Sequence, residues 1–333
     1  YGAGRPEQVS RAVHTAVALA IAGGVILMAL GLLAAPAALG WMHTPEDVMP
    51  YSLVYIRVYF LGVVGNLIYN MGAAILRAVG DSRRPLYFLI ASCFVNIVLD
   101  FLFVAGLRWG VFGAALATIL SQLTSAVLVM LVLMRSEESY RIYLKKIRLD
   151  AAILRHVFRI GLPAGFQGVV FSLSNVVIQS ALNSFDDPVL VAGSAAGANI
   201  ESFVYVTMNA FHQAAISFVG QNYGAAKCDR VDKVAQQCTI YSILFGLVFG
   251  NLVYFLGDPL VGLYAPGEPD VVLQAMIRLQ IICCTYFICG IMEALVGTLR
   301  GLGSSVIPMI ASIVGACVLR LVWVATVFPV YHT

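Results

Sequence analysis

An ionisable side chain inside a long apolar run is costly in hydrocarbon and marks a position with a task. Glu201, Tyr205, Asn209 and His212 lie in one such run, at i, i+4, i+8 and i+11. A helix puts these spacings on one face. An acid, a phenol, an amide and an imidazole on one face suit a water-filled cavity that binds a cation. The same groups can instead hold helices together by hydrogen bonds. Glu293 lies about two turns before the end of a later run, with Arg300 or an amide as a candidate partner. These positions suit a bound cation, at Glu201 or at Glu293. Asp100 follows Asn96 by one turn in a third run, and Arg320 occupies a roughly corresponding level in the last. Gln167, Asn175, Gln179 and Asn183 form a slowly drifting polar stripe along a fifth, fit either to line a cavity wall or to bond neighbouring helices.

Other chemistries lack their residues. Cys283, Cys284 and Cys289 cluster, but without zinc spacing or a partnering histidine pair. They read as small apolar packing groups. The histidines His14, His43, His156, His212 and His332 are scattered and build no metal or nucleophile constellation. No enzyme activity, organic cofactor or nucleic-acid partner is expected.

The elements that hold these residues follow from composition. Of 333 residues, 60% are hydrophobic and 11% charged, against about 45–50% and 25% in soluble domains. The chain is therefore an all-α integral membrane protein. A hydrocarbon core of ~30 Å needs about 20 apolar residues per helix. Such runs fall near 13–42, 51–77, 85–106, 109–134, 158–185, 189–219, 235–263, 271–299 and 305–329, nine spans in all. Barrel strands are excluded, because they are about ten residues long and alternate in polarity.

Nine spans make two sets of alternate loops. One set holds most of the 20 Lys and Arg, from Arg5 and Arg11 through the Arg135–Arg159 stretch to Lys227, Arg230, Lys233 and Arg300. The other holds Glu46, Asp47, Asp186, Asp187, Glu268 and Asp270, with only Arg108 basic. Basic loops stay on the cytoplasmic side, so the first set is cytoplasmic. The stretch containing Lys145 and Lys146 reads as a solvated linker along the membrane surface, attracted to anionic lipid. It divides the chain into an amino-terminal lobe of four helices at 1–140, a basic linker at 141–157 and a carboxy-terminal lobe of five helices at 158–333.

The two lobes repeat each other. Tyr1-Gly2-Ala3 recurs as Tyr223-Gly224-Ala225. Leu76-Arg77-x-x-Gly80-x-Ser82-x-x-Pro85 recurs as Leu299-Arg300-x-x-Gly303-x-Ser305-x-x-Pro308, and Pro36 and Asp47 match Pro259 and Asp270. At this offset Glu293 corresponds to Asn70. Six spans separate the copies, an even number, so the repeat is parallel, with its axis along the membrane normal. Transporters with a path between two bundles are built this way. Within the repeated element, Arg77 and Arg300 suit the carbonyl ends of their helices. Gly80 and Gly303 suit the turns that follow, and Pro85 and Pro308 the openings of the next helices.

The Gly220-Gln221-Asn222-Tyr223-Gly224-Ala225 loop, the paired Leu-Arg-Gly elements and Gly161-Leu162-Pro163 after a basic linker resemble the multidrug and toxic compound extrusion (MATE) transporters. The resemblance covers essentially the whole chain. It implies a twelve-helix, two-lobe fold that exports amphipathic, mostly cationic compounds in exchange for protons or sodium ions. It also implies that this sequence, opening at Tyr1 and ending at Thr333, is a piece holding helices three to eleven of the twelve. In some members the seventh helix carries a glutamate after its Leu-Pro. Here the stretch Phe166–Phe171 has no acid.

The expectation is a monomeric multi-pass antiporter of the cell membrane, with small organic cations and the bilayer as partners. Its candidate site residues are Glu201, Glu293, Asp100, Asn209, Tyr205, His212, Asn175, Gln179 and Asn70. The competing reading is a lipid-linked oligosaccharide flippase. That would want a strongly cationic groove for pyrophosphate, whereas the intramembrane basic residues are few: Arg320, with Arg57 and Arg278 nearer span ends.

Overall fold

The structure is a computed structural model and describes residues 1–41, 45–185 and 187–327. His43, Asp186 and His332 lie outside the described residues, as do the expected span ends at Met42 and Pro329. Among the described residues there is no strand, and nine helices are long and apolar enough to cross a membrane. The spanning helices are α1 (Pro6–Trp41), α2 (Met49–Ala78), α3 (Arg83–Gly106), α4 (Gly110–Arg135), α5 (Ala151–Asn183), α6 (Pro188–Gly224), α7 (Cys228–Phe255), α9 (Pro269–Gly301) and α10 (Val306–Thr326). A short helix, α8 (Gly257–Tyr264), follows α7. The expected span 235–263 is thus broken at Leu256. Pro259 has no N–H to offer the carbonyl of Phe255, and the chain restarts there. Its repeat partner Pro36 stays inside α1.

The chain forms two compact units, Tyr1 with Ala3–Arg155 and Gly2 with His156–Thr333. In the first, α2 packs against both α1 and α4, and α3 packs on α4. Its core is built from Val17, Leu76, Val129 and Leu133, with Val13, Tyr69 and Ile142. In the second, α6, α7 and α9 pack against one another, around Ile200, Val204, Met208, Leu279 and Cys283. In lipid, burying such side chains brings no water-release gain, so close packing and interhelical hydrogen bonds hold the helices together.

The repeat seen in the sequence is a repeat in space. Gly80 and Gly303 both take positive φ, +95° and +86°. Asp81 N–H donates to Leu76 O and Ser304 N–H to Leu299 O, each at 2.9 Å. These are the same helix-ending turn twice. The helix crossings repeat as well. A Cβ on Gly24 would lie 2.9 Å from the Val64 backbone, and one on Gly246 would lie 2.8 Å from that of Phe287. Gly246 and Phe287 are the repeat partners of Gly24 and Val64.

The linker departs from the solvated connector that its charge suggested. Tyr140 and Ile142 are buried in the core of the first unit, and Ile142 N–H donates to Leu133 O at 3.0 Å. Tyr143 N–H donates to His14 Nε2 at 3.0 Å, and His14 Nδ1 faces Ser10 O at 2.6 Å. The imidazole is therefore neutral, with its proton on Nδ1. Asp150 caps α5, accepting from Ala152 N–H at 3.1 Å and Ile153 N–H at 3.3 Å, and forms an ion pair with Arg11. The Arg11 guanidinium, then these backbone donors, hold the Asp150 carboxyl below the usual carboxylate range.

Candidate functional site

The polar chemistry of the second unit depends on how closely α6 and α9 approach. Gly193 and Gly197 on α6 form a GxxxG pair, the spacing that lets two helix backbones meet. A Cβ on Gly193 would lie 2.8 Å from Val271 O, and one on Gly197 would lie 3.1 Å from Arg278 Cδ. Further along, a Cβ on Gly297 of α9 would lie 2.6 Å from His212 O. At this separation short acidic side chains reach across.

Glu201 meets Arg278, with Nη2 to Oε2 at 3.0 Å. Arg278 Nη1 also donates to Ser194 Oγ at 2.9 Å, and the Tyr286 hydroxyl stands 3.5 Å from Glu201 Oε1. Arg278, in the first third of α9, is thus the counter-charge of Glu201.

Glu293 has its own set. His212 Nδ1 lies 3.1 Å from Glu293 Oε2 and 2.9 Å from Glu293 O. Tyr205 donates its hydroxyl to Oε1 at 3.5 Å, and Asn209 hydrogen-bonds to the same hydroxyl. The other imidazole nitrogen, Nε2, lies 3.3 Å from Arg300 Nη1. A guanidinium only donates. Nε2 must therefore carry the lone pair and Nδ1 the proton, so His212 is a neutral bridge between Glu293 and Arg300. Arg300 Nη2 in turn donates to Gln167 Oε1 at 2.8 Å. The direct Glu293–Arg300 pairing that the sequence suggested is replaced by this relay. The Glu201 face is not one site but two clusters against α9, with Tyr205, Asn209 and His212 in the second.

On α5 the amides divide. Asn175 accepts from Arg320 Nη1 at 2.8 Å, while Gln179 bonds only Asn183, at 3.0 Å. In the first unit Asn70 bonds back to Asn66 one turn earlier. Asp100 is different. Among the described residues it has neither hydrogen bond nor ion pair, and the buried Asn96 Nδ2 one turn before it has no partner. Directly after Asp100 the helix widens into π turns, Phe101–Gly106. Such turns often mark functional positions. No group of three or more His, Cys, Asp or Glu suited to a metal occurs among the described residues.

The MatE family model matches residues 1–102 and 163–326, covering both units and every candidate residue above. The chain belongs to the MatE family. Among curated MatE relatives, the Bacillus subtilis protein named probable multidrug resistance protein YoeA is 27% identical over 94% of this chain and 69% of its own length. The Thermotoga maritima protein named probable multidrug resistance protein NorM is 27% identical over 96% of this chain and 69% of its own. A solved Vibrio cholerae MATE transporter, VcmN, superposes with a TM-score of 0.86 at 20% identity, over 99% of this chain and 77% of that one. This last likeness establishes the fold, the two-lobe helical architecture of MATE transporters.

Proposed function

We propose that this MatE chain works in a secondary active exporter of amphipathic drugs or toxic metabolites, driven by exchange with protons or sodium ions through alternating access. It sits in the cell membrane with its basic loops on the cytoplasmic side. The names of the YoeA and NorM relatives support the drug-export reading. The basic loops support the orientation.

One observation carries the coupling mechanism: Asp100 has no counter-charge among the described residues, whereas Glu201 and Glu293 each have a partner on a facing helix. A carboxylate already paired with a guanidinium gains little from another cation. An unpaired one keeps its charge open to a proton or a sodium ion. Binding at Asp100 therefore has the larger hold on conformation, and the π turns beside it give the helix a place to rearrange.

The test is export from vesicles under an imposed proton or sodium gradient. Asp100→Asn keeps the shape and fixes the neutral state, and should insert normally while losing more than about tenfold in gradient-driven rate, roughly 1.4 kcal/mol or more of coupling. Asp100→Glu should retain part. Export by Asp100→Asn at the parental rate overturns this assignment.

A further inference from the structure

About one turn from the level of the unpaired acid in α3, its repeat partner α10 carries an arginine. Arg320 stands 14 positions after Val306, about 21 Å along the helix. It lies just after the π turns Ile313–Val318. Its one recorded partner is the Asn175 amide oxygen at 2.8 Å. A guanidinium has five N–H groups and stays charged at any working pH. Among the described residues no carboxylate lies within ion-pair distance of it. Arg278 has Glu201, and Arg300 has the His212–Glu293 relay. Arg300 stands in the last turn of α9; deeper in the second unit Arg278 is matched by a carboxylate, and Arg320, among the described residues, is not.

Arg320 is also not simply reaching for the nearer interface. Its bond runs sideways to α5, where Asn175 is eight residues, about 12 Å, short of the helix end. Asn175 lies two turns beyond Gln167, the other α5 amide that holds an arginine. The two amides share one side of α5, turned toward α9 and α10.

We propose that Arg320, oriented by Asn175, receives an ionised acidic group of the cargo. The acidic group it takes is a carboxylate or phosphate borne by an amphiphile. This rests on the exporter reading above. Planar guanidinium matches a carboxylate or phosphate through two parallel bonds, and Arg320 has the free donors for it. In the same unit a purely cationic drug meets at Glu201 a carboxylate already neutralised by Arg278.

The test uses two probes, a rhodamine with a free carboxylate and its methyl ester. Binding to the purified transporter is read by fluorescence polarisation, and export is read in vesicles. Arg320→Gln should weaken binding of the carboxylate dye by about tenfold or more, while the ester changes by less than about twofold. Asn175→Asp gives Arg320 an internal acid and should cause the same selective loss without removing the charged side chain. Arg320→Lys should fall between parent and Arg320→Gln, because it keeps the charge but not the fork. Equal weakening of both dyes means a structural arginine and overturns the proposal, as does a parent that shows no dependence on Arg320 for the acid dye. If the parent exports neither dye, the exporter reading fails. The binding comparison still decides whether the acid site exists.

Discussion

The two units place their charges in opposite ways. The first pairs its charges at the helix ends, where Arg11 meets Asp150 and His14 holds the Tyr143 backbone. Within its spans it leaves Asp100 and Arg57 without an ion-pair partner among the described residues. The second pairs Glu201 with Arg278 at depth and sets Glu293 against a neutral His212, while Arg320 has no acid partner among the described residues. The repeat keeps its turns and crossings while its charges differ, Asn70 standing where the second copy has Glu293. Paired groups within a membrane bundle specify how helices dock, and unpaired ones are open to a ligand. This separates the candidate residues better than their depth alone.

The sharpest break of that comparison is to unpair Glu201. Glu201→Gln strands the Arg278 guanidinium between α6 and α9. Breaking a buried pair this way costs about 3 kcal/mol. The lower end of the range applies, because the two side chains keep 21% and 31% of their surface exposed. We expect a markedly lower yield and thermal midpoint in detergent than for Asp100→Asn, which strands nothing. Glu201→Gln with Arg278→Gln should recover most of the loss. A Glu201→Gln protein as stable as the parent but dead in export would reverse the assignment and make the paired acid the coupling site.

A smaller effect is expected from the glycines that set the helix distances. A Cβ on Gly297 meets His212 backbone atoms at 2.6 and 3.2 Å, which cannot yield without moving α6. A Cβ on Gly62 in the first unit meets Ile119 Cγ1 at 2.7 Å, a side-chain atom that can turn away. Gly297→Ala should cost about 1–3 kcal/mol, and Gly62→Ala less. Thermal unfolding of the two variants side by side checks this. Because Gly297 adjoins the relay residue His212, its variant should also perturb the Glu293 cluster. Equal midpoints would show that the α6–α9 approach is not the tighter one.

Much of this was legible in the sequence, and the rest was hidden for physical reasons. Long apolar runs announce helices, and Gly80 and Gly303 announce their turns, because both signals are local. The pairing of Glu201 with Arg278 is not local. It depends on the rotation of α6 against α9, which residue spacing within either helix does not fix. The Gly193–Gly197 pair was the available clue that the face carrying Glu201 meets another helix. The linker misled for a different reason. Tyr140, Ile142 and His14 dock it, but they are single residues among many basic ones, and composition averages them away. The break at Leu256 was equally hidden, since Pro36 in the other copy is tolerated within a helix.

The gentlest test lies at the exposed pair. Asp150 is charged in the folded protein and held below the usual carboxylate range, first by the Arg11 guanidinium and then by the Ile153 N–H. A group whose folded pKa is depressed contributes stability that is full above its unfolded value and disappears as pH falls through the folded one. With an ordinary aspartate near 3.9, the latch between α1 and α5 should be intact from neutral pH down to about 5 and should weaken only below about 4. Amide exchange over Ile142–Ile153 reads it directly. Asp150→Asn removes the ion pair but keeps a side-chain oxygen for the helix cap. It should abolish the acid dependence while leaving protection of α5's first turn nearly unchanged, whereas Asp150→Ala should lose both. Because the pair is exposed, neither variant should reduce export by more than about twofold, in keeping with the small worth of surface ion pairs. Protection lost well above pH 5 would mean that another group governs the latch.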